Sequence, residues 1–189
     1  VFVKGTDGVW RDAQNSTVVA NGSGWKLTTR DGRVEAYDSY GRPLTIKDER
    51  GIGLTYTYNV SNQLATIAHT SGRTIQVTWN GSKIATVKAP NSKIYSYTYN
   101  SSGYLASVTY PDNLGVRTYH YEDPAQPGGL TGISINNVRY SRYSYNAEGQ
   151  AAWSGLEGGI ERSTFTYGAD YTDVKNALGQ TTRYQIAEL

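Results

Sequence analysis

The stretch YSYTYNSSGYLASVTYPDN, Tyr95 to Asn113, decides how the rest of the chain is read. Tyr97 and Tyr99 stand two apart. Asn100 and Gly103 follow, then Leu105 and Val108. Strict alternation puts Tyr97 and Tyr99 on one face of a strand and Ser96 and Thr98 on the other. Asn and Gly then supply the left-handed backbone a tight turn needs. A second short apolar run returns. The phrase is a β-hairpin written in nineteen residues.

It recurs. The turn is preceded by Tyr37, Tyr58, Trp79, Tyr99, Tyr121, Tyr145 and Tyr167, at separations of 21, 21, 20, 22, 24 and 22 residues. A period of this kind marks an array in which each unit buries its face only against its neighbours. First strands read TYTY, QVTW, SYTY, TYHY, RYSY and TFTY, and second strands read LATI, KIATV and YLASV. The anchors of the array are Tyr37, Asp38, Gly41, Tyr56, Tyr58, Leu64, Ile67, Trp79, Ile84, Val87, Tyr97, Tyr99, Gly103, Leu105, Val108, Tyr119, Tyr121, Tyr143, Tyr145, Gly149, Phe165 and Tyr167. The pattern predicts an all-β fold, with tandem hairpins forming one long antiparallel sheet. Aromatic rings of successive units are expected to align along it, with tyrosine hydroxyls left in water. Residues 34–189 form the array of about seven repeats of roughly 21 residues, as one continuous domain. Residues 1–33 match less well. Trp10, Trp25 and GWKLTTRDGR suggest a degenerate hairpin, with 11–24 as a polar loop.

Composition agrees. Of 189 residues 17 are Tyr and 21 are Gly, and there is no Cys or Met. Disulfides and thiolate metal sites are therefore excluded. The net charge of +2 carries no clustered basic face, so nucleic acid is not an expected partner. No apolar run approaches the roughly 20 residues of a membrane span. A chain opening at Val1 with no signal peptide reads as an excised piece.

The repeat phrase resembles the YD repeats of the Rhs family, whose core is Tyr-Asp-x-x-Gly-Arg-Leu. YDSYGRPL (37–44) is similar, with Pro43 as one added residue. YNSSGYL (99–105) and YNAEGQA (145–151) keep the turn with Asn for Asp, and NALGQTTRY (176–184) resembles the phrase between repeats. The family includes bacterial Rhs polymorphic toxins and the C components of Tc toxins, and teneurins carry related repeats. The resemblance implies a strip of sheet that curves into a segment of a spiral shell. Its partners would be the rest of that shell and an enclosed C-terminal effector, in a secreted or surface-associated bacterial protein. The family's self-cleavage phrase is not matched: in DPAQPGGL the spacing from Asp123-Pro124 to Gly129-Leu130 is wrong. No catalytic residue, metal or cofactor is expected, and a carbohydrate-binding or cell-surface-binding module is the alternative.

His120, Glu122 and Asp123 form the most site-like group. His120, however, fills a slot held by Thr57, Thr98, Ser144 and Thr166, so a polar-face role is preferred. His69 in AHTSG reads as a turn flank. Asp170, Asp173 and Asp112 lack the spacing of a calcium loop. Asp48 and Glu49, taken as adjacent strand residues, would point to opposite faces and not serve as a glycosidase pair. GGLTG (128–132) lacks the Gly-Lys-Ser/Thr of a phosphate loop. Asn15, Asn21, Asn59, Asn80 and Asn100 open Asn-x-Ser/Thr triplets but read as turn residues. Trp79, Trp153 and the tyrosine rows could stack on sugars; packing between units is the preferred reading. A sheet cut from a shell leaves unpaired edges, so self-association through them is expected.

Overall fold

The computed structural model describes residues 1–186. They hold nineteen strands, one 3₁₀ turn at Glu157–Gly159 and no α-helix. The chain divides into two compact units, Val1–Ile94 and Tyr95–Leu189. The all-β, tandem-hairpin architecture expected from the repeat is the one observed.

The first unit contains β1 (Val3–Lys4), β2 (Trp10–Arg11), β3 (Thr17–Asn21), β4 (Gly24–Thr28), β5 (Val34–Tyr37), β6 (Pro43–Lys47), β7 (Gly53–Tyr58), β8 (Leu64–His69), β9 (Thr74–Asn80) and β10 (Lys83–Lys88). Each pairs antiparallel with the next in sequence. In the second unit the same meander runs through β11 (Ile94–Tyr99), β12 (Leu105–Tyr110), β13 (Gly115–His120), β14 (Gly132–Ile135), β15 (Val138–Tyr145), β16 (Ala151–Leu156), β17 (Ser163–Tyr167), β18 (Tyr171–Lys175) and β19 (Thr181–Gln185). Residues 11–24 are not a loop. They carry β3, whose Thr17-Val18-Val19 run is β-prone and whose Ala20 pairs with Trp25.

The turns follow one recipe. Asp38 accepts from the amides of Tyr40 and Arg42 through one carboxylate oxygen, each at 2.9 Å. Asp48, Asn59 and Asn176 do the same for the amides two and four residues on. The backbone closes the loop from Asp38 N to Arg42 O at 3.0 Å and from Gly41 N to Asp38 O at 3.1 Å. The fourth turn residue is left-handed: Gly41 at φ 78°, Asn62 at 62°, Gly103 at 82°. This is a type I turn followed by a left-handed residue, the common three-residue hairpin loop. Two-residue turns replace it where the chain is tighter. Asn80 pairs with Lys83 across Gly81-Ser82, and Ile135 pairs with Val138 across Asn136 and Asn137, both at positive φ.

The residue before each turn makes a longer reach. Tyr58 donates its hydroxyl to the Pro43 carbonyl at 2.9 Å. The Trp79 indole N–H donates to Leu64 O at 2.8 Å. Tyr121 donates to Leu105 O at 3.1 Å, Tyr145 to Leu130 O and Tyr167 to Ala151 O, both at 2.9 Å. Each donor thus bonds the carbonyl 15 or 16 residues back. The acceptor belongs to the preceding unit's second strand or its approach. Pro43 is itself the register partner of Tyr37, and Leu64 of Tyr58, so successive hairpins are stitched end to end. The hydroxyls are therefore not simply left in water, as the sequence suggested. Tyr37 departs from this series: it donates within its own strand to Glu35, which pushes its phenol up to about 12. The close tyrosine ring pairs are Tyr104–Tyr121, stacked at 5.2 Å, and Tyr95–Tyr110, edge-on at 5.9 Å.

Beside these residues the second strand carries one extra residue. Tyr58 pairs with Leu64 but Thr57 pairs with Thr66, which leaves Ala65 as a bulge. Ala85, Ala106 and Ala152 occupy the same place in their hairpins, and Leu44 does so beside Tyr37. A bulge bends its strand and strengthens local twist. A second link joins turns. Arg42 donates to Asn62 O at 3.1 Å and Gln63 to Gly81 O at 2.6 Å, each reaching the next hairpin's turn.

The sheet has almost no interior. Among the described residues, Val108 is the one buried hydrophobic side chain, and no large side chain is fully buried. Leu54, Tyr56, Ile67, Ile75, Val77 and Trp79 are all half-buried.

Two predictions follow from the stitching and the turns. Tyr58→Phe and Tyr167→Phe should each lower the unfolding free energy by about 1 kcal/mol in urea titration, the net value of one hydrogen bond. Tyr56→Phe, at a hydroxyl outside the series, should cost less. Gly41→Ala should cost about 1–2 kcal/mol from the left-handed backbone alone, since nothing lies within 4 Å of the added Cβ. Asn62→Gly at the equivalent position should be near neutral or stabilising.

Candidate functional site

In each unit one face of the strands carries a row of hydroxyls. The slot before the repeat anchor holds Thr57, Thr78 and Thr98, opposite Thr66, Thr86 and Ser107. Thr78 and Thr86 share a 2.6 Å hydrogen bond, and Thr98 and Ser107 one of 2.7 Å. The pattern breaks in the second unit. His120 takes the slot in β13. Trp153 takes the opposing slot in β16, across from Ser144. The Pro-bearing segment 121–131, without strand, folds at the same place.

His120 Nε2 lies 2.8 Å from Ser134 Oγ, and its Nδ1 lies 3.5 Å from Glu122 Oε1. Glu122 accepts both guanidinium arms of Arg139, at 3.1 and 2.9 Å. Arg139 also donates to Thr131 O at 3.1 Å and Ser141 O at 3.2 Å. Thr131 Oγ1 accepts from Glu122 N at 3.0 Å and donates to Glu122 Oε2 at 3.3 Å. Gly132 makes the seat: a Cβ there would stand 2.5 Å from Arg139 Nη2 and 2.3 Å from Ser141 O. Next along, Arg142 pairs with Glu157 at 2.6 Å, and the Arg162 guanidinium lies 4.3 Å from the Trp153 ring centre.

The arrangement of serine, imidazole and carboxylate invites a hydrolytic reading, but its parts face the wrong way for one. Ser134 is only 6% exposed, so a substrate carbonyl has no approach to its hydroxyl. Glu122 spends its oxygens on Arg139 and Thr131 instead of orienting the imidazole. The cluster works as a pin between β13, β14 and β15. The Arg139 hydrogen bonds hold the Glu122 carboxyl below its ordinary range. Burial, then the Arg139 charge, holds His120 below the ordinary imidazole value.

Other sequence candidates fall into turns or pairs. His69 Nδ1 accepts from Ser71 N at 3.1 Å and so caps its turn. Asp48 and Glu49 lie in the turn after β6, not on a strand; Asp48 is its cap. Asp173 is held by Arg183 through two bonds of 2.8 Å, and Asp170 accepts from Gln185 at 2.7 Å. Among the described residues no three His, Cys, Asp or Glu side chains gather as a metal site. Trp79 is committed to Leu64, while Trp153 stands beside the charged cluster. Thr131, Ser134 and Arg139 escaped the sequence reading. Their signal is Ile135-Asn136-Asn137-Val138, two turn-formers between apolar residues, which announces the β14–β15 hairpin. No helix among the described residues is long and apolar enough to cross a membrane, which says nothing of strands.

Arg139→Ala should lower stability by about 1–2 kcal/mol at neutral pH, the range for hydrogen bonds to a charged group reduced for the exposure of Glu122. A depressed carboxyl contributes above its unfolded pKa and loses that contribution as pH falls through the folded value, so the difference between variant and parent should shrink in acid. A depressed imidazole acts in the same sense: the unfolded chain binds the proton more readily, so stability should drop as pH falls below about 6.5. His120→Gln should flatten that limb of the urea-midpoint profile.

No protein-family model and no curated protein matches the sequence. Solved structures do match. TcdB2-TccC3 without its hypervariable C-terminal region is similar at TM-score 0.58 and 16% identity, over 85% of this chain and 10% of that one. The Tc holotoxin pore of Photorhabdus luminescens gives 0.44 and 14%, over 95% and 13%, and TcdB2-TccC3-Cdc42 gives 0.46 and 12%, over 94% and 15%. The chain thus spans 10–15% of the length of these structures. At this identity the likeness to TcdB2-TccC3 is a likeness of fold.

Proposed function

We propose that this chain is a non-catalytic structural segment of an Rhs/YD-repeat shell, in a secreted or surface-associated bacterial protein that encloses a C-terminal toxin or effector. The carrying observation is the missing core. A sheet with one buried hydrophobic side chain among its described residues presents its aromatic and aliphatic face half-covered. Folding of ordinary domains is driven by burial of such surface. A half-covered face therefore suits a sheet whose apolar side meets a larger assembly. The fold-level likeness to a Tc toxin protein described as having a hypervariable C-terminal region agrees with this reading.

The partners in this reading are the other strands of the shell and the enclosed effector. Among the described residues β19 pairs only with β18, so its free edge is where the sheet continues, and where the chain in isolation self-associates. The residues that matter are the stitching aromatics and their carbonyl partners, and enclosure is mechanical: a stitched sheet keeps water and proteases on one side.

A wall has an inside and an outside. The chain contains no cysteine, so single thiols report on each face. Val77 and Thr78 are neighbours on opposite faces of β9. In the natural polypeptide carrying this sequence, with other cysteines removed, Val77→Cys and Thr78→Cys should react very differently with a large polyethylene-glycol maleimide. In the 189-residue chain alone both should react. Equal labelling of both positions in the natural polypeptide would overturn the wall reading.

A further inference from the structure

We infer that the depression between segment 121–131 and β14–β16 is a binding subsite for one neutral sugar ring. Three departures from the repeat meet there: His120 in place of a hydroxyl, Trp153 in place of a hydroxyl, and the inserted segment. Register seats the cations. His120 stands opposite Gly132, Gly132 opposite Arg142, and Arg142 opposite Gly155. Gly132 leaves room for the Arg139 guanidinium and Gly155 for Arg162, so both lie close against the sheet beside Arg142. An open pocket of about 190 Å³ lies next to them, lined by Glu122, Asp123, Arg139, Arg142, Ser144 and Trp153 among others. That is below the roughly 300–1,000 Å³ of drug-sized sites and suits a single ring.

The charges choose the ligand. Two guanidiniums and two carboxylates line the pocket. Arg139 is spent on Glu122, and Arg142 on Glu157 beside it. An ionic ligand would meet no net field, whereas a polyol would meet donors and acceptors already fixed in place. Asp123 uses Oδ1 to cap Ala125 N at 2.9 Å, which turns its carboxylate into a rigid acceptor. Trp153 supplies the flat apolar surface that the carbon-bound hydrogens of a sugar ring cover, and Arg162 on the indole holds that ring in place. The contrast with Trp79 is the point: one indole N–H is consumed by the stitching, while the other ring stands beside the fixed polar groups of the pocket. This subsite does not depend on the wall reading, since it rests on side chains of the second unit alone.

The test is a titration of the whole chain with maltohexaose, cellohexaose and chitohexaose, with oligogalacturonate as the charged comparator, followed through the four tryptophan indole N–H signals. Trp153→Phe assigns its peak, and far-UV circular dichroism checks that the sheet persists. The expected result is a saturable shift at Trp153 with at least one neutral hexamer, none with oligogalacturonate, and stationary signals for Trp10, Trp25 and Trp79. Asp123→Asn keeps the Ala125 cap and should weaken binding about tenfold, the loss expected when one charged acceptor becomes neutral. No shift at Trp153 with any of the three, shifts at the other indoles alone, preference for the uronate, or unchanged affinity in Asp123→Asn would each overturn the proposal.

Discussion

The hydrogen bond that Tyr58, Trp79, Tyr121, Tyr145 and Tyr167 each make to a carbonyl 15 or 16 residues back is what the architecture leans on. An ordinary domain joins its elements by burying side chains between layers. Among the described residues Val108 is the one buried hydrophobic side chain, so little of that joining is supplied here. Strand pairing holds each hairpin together. Strand pairing also joins each hairpin to the next, and a long side chain with a terminal donor adds a second link beside the turn. Tyr and Trp share that property and Phe lacks it. This accounts for Trp79 standing in a tyrosine row.

The bulge is the geometric partner of that bond. The extra residue falls directly after the acceptor in four hairpins: Leu44 after Pro43, Ala65 after Leu64, Ala106 after Leu105, Ala152 after Ala151. In each of these the acceptor residue is the register partner of one anchor, and its carbonyl accepts from the next. Three of the four bulged residues are alanines, where a larger side chain would have to be accommodated at an unpaired position. The repeated Ala in LATI, IATV and LASV is thus a backbone feature more than a packing one.

Much of this was legible in the sequence, and the part that was not has a physical reason. Strands and turns are local: alternation spans four residues, and Asp38 or Asn59 contacts amides only two and four positions on. The period could be counted. The stitching bond could not, because it joins residues a whole strand and turn apart and depends on a register shift that no alternation pattern records. Residues 11–24 misled for a related reason. Their polar composition hides Val18 and Val19 between the Asp12-capped turn and the Gly22-Ser23 turn, so a strand reads as a loop. At the candidate site His120, Glu122 and Asp123 stand out as a group in the sequence, and Trp153 apart from them. What gathers them with Arg139 is β14, a strand of four residues without a single aromatic.

Repetition itself is what makes such a site interpretable. In a unique fold a histidine on a strand has nothing to be compared with. Here Thr57, Thr78, Thr98, Ser144 and Thr166 state what the sheet requires at that slot, and it is a small hydroxyl. His120 exceeds that requirement and needs Gly132, Ser134 and Arg139 arranged around it. Trp153 exceeds it by more, against Thr66, Thr86 and Ser107. Neighbouring hairpins do without either residue. Two oversized side chains in adjoining hairpins, beside the one segment that lengthens the period to 24, therefore mark the place where the array departs from its own repeat.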